Sequence, residues 1–119
     1  MRCRLATRHV QLKSSHREAA TAAITVNVKL AEQESGCVIW VLFDQDTLEL
    51  GPFLWFGGKP RDRLTDLGTK IAKHTRANSQ GHKSERPGLR VLPRRSFTKL
   101  DSISGVIESL FGTLEAIQR

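Results

Sequence analysis

Three groups of residues in this 119-residue chain have the types and spacing to do chemistry. Asp44, Asp46 and Glu49 place three carboxylates within six residues. Hard oxygen ligands of that kind suit magnesium. The same Asp44-Gln45-Asp46-Thr47 run is also turn chemistry, in which Asp bonds its own backbone, so a metal site and a plain hairpin turn both stand. The second group is basic: Lys70, Lys73, His74, Arg76, Lys83, Arg86, Arg90, Arg94 and Arg95. Such a set suits phosphate oxygens, with arginine giving bidentate contacts, and Asn78, Ser79 and Gln80 add neutral donors. It is equally the composition of a solvated basic face. The third group is Gln11 and Lys13, which share one face of a strand at Val10-Gln11-Leu12-Lys13, with Val10 and Leu12 on the other.

The charge is unevenly spread. Residues 1–58 carry six Lys/Arg and six Asp/Glu, residues 59–99 carry twelve and three, and residues 100–119 carry one and three. The net charge of +7 therefore comes from a local excess of +9 in the middle segment. A field of that size attracts polyphosphate backbones and raises encounter rates, and it exceeds what solubility requires.

Other chemistries find no support. Cys3 and Cys37 lack a metal or redox spacing. Cys37 opens the apolar run to Phe43 and reads as a small buried residue. His9, His16, His74 and His82 are scattered without paired-ligand spacing. No P-loop, dinucleotide-binding glycine turn or nucleophile elbow is present. No apolar stretch approaches the roughly 20 residues of a membrane span, and no apolar signal-peptide run follows the basic start, so a cytoplasmic location is expected.

The elements that must hold these groups follow from periodicity. Residues 3–13 read as a strand, best formed at Val10 to Lys13. Ser14 and Ser15 read as caps of a short helix over 16–22, with Glu18 at capping-box spacing. Ile24, Val26, Val28 and Leu30 alternate as a half-buried strand, followed by a short helical turn within 31–35. Val38 to Phe43 is a continuous apolar run, the pattern of a central strand covered on both faces. Leu48 to Phe56 returns as its hairpin partner, with Pro52 at an edge or bulge. Leu64, Leu67, Ile71 and His74 predict an amphipathic helix over 62–75, and residues 76–88 read as a loop before a short strand at Leu89 to Leu92. Asp101 or Ser102 caps a last helix carrying Ile103, Val106, Ile107, Leu110, Phe111 and Leu114 on one stripe. Trp40, Phe43, Phe53, Trp55 and Phe56 read as core, with Trp55 the candidate for base stacking.

The Gln11-Leu12-Lys13 strand leading into a helix resembles the PD-(D/E)xK nuclease superfamily, in the QxK form written by small domains of restriction-endonuclease-like fold. The resemblance spans residues 8–56 and rests on a three-residue motif. It implies that Gln11 lies near a metal and that Lys13 is the catalytic lysine, orienting water and stabilising developing charge beside Mg2+. The superfamily places an acidic residue on a preceding strand. Here ten residues precede Gln11 and none is acidic, which implies a domain missing its N-terminal elements or a degenerate member. Asp44 and Asp46, the candidate metal ligands, fall after the motif and do not replace that acid.

The expected architecture is a single small α/β domain over residues 1–119, with a mixed sheet of four to five strands, a covering C-terminal helix and a partial restriction-endonuclease-like core. The expected function is nucleic-acid binding, to DNA or RNA, through Lys70, Lys73, Arg76, Lys83, Arg86, Arg90, Arg94 and Arg95. The alternatives are an active magnesium-dependent nuclease completed by a second chain and an interaction module presenting a basic surface to an acidic protein.

Overall fold

A computed structural model describes residues 7–19, 21–64, 67–73 and 85–112. The elements run β1 (His9–His16), β2 (Ala23–Asn27), α1 (Lys29–Glu32), β3 (Gly36–Phe43), β4 (Leu50–Gly57), β5 (Ile71–Lys73), β6 (Glu85–Pro93), a 3-10 turn at Arg94–Ser96, β7 (Thr98–Leu100) and α2 (Ile103–Phe111). They form a mixed α/β structure with two sheets. One has four strands in the order β1-β3-β4-β7, the other three in the order β2-β6-β5. In the first, β1 and β3 are parallel and the other pairs antiparallel; in the second, both pairs are antiparallel.

The four-stranded sheet is the middle layer. Val38, Trp40, Leu42 and Leu54 turn toward the three-stranded sheet and pack with Val26, Leu92 and Phe97. Cys37, Ile39, Phe53 and Trp55 turn the opposite way and pack against Val106 of α2. The continuous apolar run Cys37 to Phe43 thus has the cause expected for it: β3 is covered on both faces, and Trp40 is fully buried. Edge-to-face contact with Phe97 at 5.6 Å fixes its ring. Both faces of β4 are buried as well. Phe53 and Trp55 point toward α2 while Leu54 and Phe56 point away from it, so all four aromatic and aliphatic side chains find cover.

The β3–β4 hairpin forms as its sequence predicts, with a bulge between Val41 and Phe43 where Gly51 and the cis-bonded Pro52 enter β4. At the other end, Gly57 stands opposite Cys37. A Cβ at position 57 would lie 2.8 Å from the Cys37 Cβ and 3.0 Å from the Trp55 ring, so this glycine is a packing requirement. The C-terminal helix also forms. Ser102 caps it, its Oγ accepting from the Gly105 N–H at 3.1 Å.

Two expected helices are not formed. β1 continues through Ser14 and Ser15 to His16, because Ser15 Oγ accepts a hydrogen bond from the Trp40 indole N–H at 3.1 Å and is not a cap. Of residues 62–75, the described stretches 62–64 and 67–70 carry no helix, and Ile71–Lys73 form β5. Gly68 adopts φ +77°, which a helix cannot include. Leu64 and Leu67 are buried all the same, so their spacing reported burial and not helix. His74 and Leu114 lie outside the described residues. The three-stranded sheet was not separable in the sequence, since β5 is three residues long.

Candidate nucleic-acid interface

Among the described residues of the basic segment, Lys73 lies on β5, Arg86 and Arg90 on β6, Lys70 just before β5, and Arg94 and Arg95 on the 3-10 turn. Antiparallel pairing sets Ile71 opposite Arg90, Ala72 opposite Arg86 and Lys73 opposite Glu85, with an irregularity after Ile71. The Lys70 carbonyl accepts the Val91 N–H at 2.8 Å, which ties the start of β5 to β6. Lys70, Lys73 and Arg86 are exposed on this ribbon, and Arg95 is exposed on the 3-10 turn beyond it. None of the four forms an ion pair among the described residues; the pairs there involve Arg17, His16 and Lys99. Glu85, opposite Lys73, is the acidic side chain within the ribbon. A shallow cleft of about 510 Å³ runs along it between Lys70, Lys73 and Glu85.

Two arginines expected to face phosphate are engaged in the fold. Arg90 Nη1 donates to the Pro87 carbonyl at 2.6 Å and the Leu89 carbonyl at 3.3 Å. Arg94 lies 4.9 Å from the Trp40 ring centroid and donates through Nη2 to the Thr21 carbonyl at 2.9 Å. Its guanidinium covers the core tryptophan, a packing role for the cation. Arg76 and Lys83 lie outside the described residues.

The two residues of the nuclease-like motif, Gln11 and Lys13, share one face of β1. Gln11 clamps the two sheets together. Its Nε2 donates to the Thr25 carbonyl at 3.3 Å, and its Oε1 accepts from the Asn27 N–H at 3.4 Å. A side-chain amide has the donor and acceptor of a peptide unit, so it satisfies the edge of β2 as a neighbouring strand would. Lys13 shares this face, half-buried and in register with Trp40. No group of three or more His, Cys, Asp or Glu side chains that could hold a metal occurs among the described residues.

Asp44 and Asp46 are separate from that strand face. Asp44 Oδ1 accepts the N–H groups of Asp46 and Thr47, each at 2.9 Å. These bonds, Thr47 first and Asp46 second, hold the Asp44 carboxyl below its ordinary range, and Arg17 adds to the effect. Arg17 lies 3.8 Å from both Asp44 and Glu49 and donates through Nε to the Gly51 carbonyl at 2.6 Å. A guanidinium thus occupies the position where a cation would gather these carboxylates. The turn reading of this run accounts for its geometry. Nothing local in the sequence reveals Arg17's part, because its partners are 27 to 34 residues away.

Trp55 is buried, and the Arg8 guanidinium lies 5.3 Å from its ring centroid. Its face is therefore not open to a base. Cys37 beneath is fully buried; burial pushes its thiol pKa up, and neighbouring Arg8 opposes that shift. A further cleft of about 720 Å³ opens beside Gly57, Gly58, Arg61 and Arg63, but Glu34 and Asp62 also line it and offset its charge. Comparison with family models, curated proteins and solved structures finds no match. No helix among the described residues is long and apolar enough to cross a membrane.

Proposed function

We propose that this protein binds nucleic acid through the β5–β6 ribbon, in the cytoplasm, with Lys70, Lys73 and Arg86 meeting backbone phosphates and Arg95 extending the contact. The observation that carries this reading is that these exposed cations have no ion-pair partner among the described residues, within a segment of excess +9. Cations left unpaired on a surface are available to release counterions from a polyphosphate. The contacts are to phosphate, so the binding is positioned by charge and carries little base information.

The test is retention of duplex DNA, single-stranded DNA and RNA by the parent protein and by a Lys70→Glu/Lys73→Glu/Arg86→Glu variant with unchanged circular dichroism. The reading expects binding by the parent to at least one of these polymers and its loss in the variant. Equal binding by both proteins, or no binding by the parent, would refute it; the latter result would favour an acidic protein as the ribbon's partner.

A further inference from the structure

The two sheets present four edges, and three of them are blunted. β5 and β7 are each three residues long. On β2, five residues long, the Gln11 amide takes the Thr25 carbonyl and the Asn27 N–H. β1 is different: it has eight residues, no proline and continuous register with β3 from His9 to His16. The N–H groups of His9 and Arg17 donate to the carbonyls of Ser35 and Phe43. Backbone groups alternate in direction along a strand, so odd-numbered residues bond toward β3 while Val10, Leu12 and Ser14 point theirs outward. No backbone partner of these three occurs among the described residues. A long, regular, unpaired edge is a template for another strand.

The side chains add a second observation. Val10 and Leu12 are in register with Cys37 and Ile39, on the sheet face that carries α2. They remain 43% and 65% exposed. On α2, Gly105 sits against Leu100 of β7, with 3.6 Å between its Cβ position and that side chain. Ile103 and Ile107 of the same helix are also exposed, at 54% and 47%. Exposed apolar side chains thus lie on both β1 and α2, which share this face of the sheet.

We propose that β1 pairs with β1 of a second copy of this chain, antiparallel about a two-fold axis normal to the sheet. The strand is self-complementary. With the axis at Gln11, Val10 of each copy faces Leu12 of the other, and both lie at positions whose backbone groups point outward. Lys13, the one Lys or Arg in β1, is kept away from its counterpart. A two-fold of this kind is isologous and closes after two copies. It covers the exposed Val10 and Leu12 of each copy with those of the other, and it sets both three-stranded sheets on the same side of the joined sheet.

The experiment is the solution mass of the full chain by light scattering over a range of micromolar concentrations, with Leu12→Lys, Leu12→Pro and Leu48→Lys beside it. Proline at position 12 removes an outward N–H and no bond to β3; Leu48 is exposed but distant from the edge in sequence and outside β1. The proposal expects twice the 13.3 kDa of one chain for the parent and Leu48→Lys. It expects a single-chain mass for both Leu12 variants, with circular dichroism unchanged. Amide exchange at Val10, Leu12 and Ser14 should slow by about tenfold or more on going from dilute to concentrated parent. A parent that stays monomeric, a dimer that survives both Leu12 changes, or fast exchange at these three amides within the dimer would each overturn it.

Discussion

The two sheets are built for different work. In β3, six of eight residues are buried, and neither β3 nor β4 contains a charged side chain. Across the seventeen residues of β2, β5 and β6, only Val26, Ala72 and Leu92 are buried, and Lys73, Glu85, Arg86 and Arg90 are present. Apolar burial drives folding and tolerates little change, whereas exposed charge contributes little to stability. The cations of the β5–β6 ribbon thus sit on the sheet whose loss of charge the fold can bear. Where a cation enters the core, as Arg94 does over Trp40, it becomes a packing residue.

The largest effect should come from the four-stranded sheet. Trp40→Ala removes a fully buried ring, its bond to Ser15 and its contacts with Phe97 and Arg94. A loss of about 3–5 kcal/mol in urea unfolding is expected. A loss below about 1 kcal/mol would show that the two-sided core does not dominate stability.

The join between the sheets comes next. Gln11→Ala leaves the Thr25 carbonyl and the Asn27 N–H without their present partner, on the partly exposed edge of β2. The expected cost is about 1 kcal/mol, again by urea unfolding. Magnesium or manganese should produce no cleavage of DNA or RNA by the parent, since no group of three or more His, Cys, Asp or Glu side chains that could hold a metal occurs among the described residues. Metal-dependent cutting that disappears in Lys13→Ala would contradict this expectation and support a catalytic Lys13.

Periodicity made the central strand, the hairpin and the last helix legible, because each buries a face whose repeat is visible over several residues. Val38 to Phe43 reads as two-sided cover, and Ile103 to Leu110 reads as one helical stripe. It failed at Leu64 and Leu67, which are buried although neither lies in a helix and Gly68 beside Leu67 has φ +77°. It failed again at Ser15, whose hydroxyl serves a tryptophan 25 residues away. The basic character of the candidate site was plain in the sequence. Which cations are free was not, since the engagement of Arg94 depends on Trp40 and Thr21, 54 and 73 residues distant.

A smaller effect separates the acidic turn from the basic ribbon. The Asp44 carboxyl is held low by the Thr47 and Asp46 N–H groups. A carboxyl with a depressed folded pKa contributes stability in full above its unfolded value, about 3.9 for Asp, and loses it as pH falls through the folded value. Asp44→Ala should therefore flatten the acid limb of the stability profile, measured by urea unfolding across a pH series. An acid limb as steep as the parent's would show that the turn does not contribute through this carboxylate.

The central claim, that free cations on the β5–β6 ribbon bind a polyphosphate, is tested most directly by the salt dependence of affinity for duplex DNA. Lys70→Gln/Lys73→Gln/Arg86→Gln should leave stability within about 0.5 kcal/mol of the parent. Each phosphate neutralised contributes about −0.9 to the slope of log affinity against log salt, so the account predicts that the triple variant's slope is shallower by about 2.7. A variant slope equal to the parent's would contradict it.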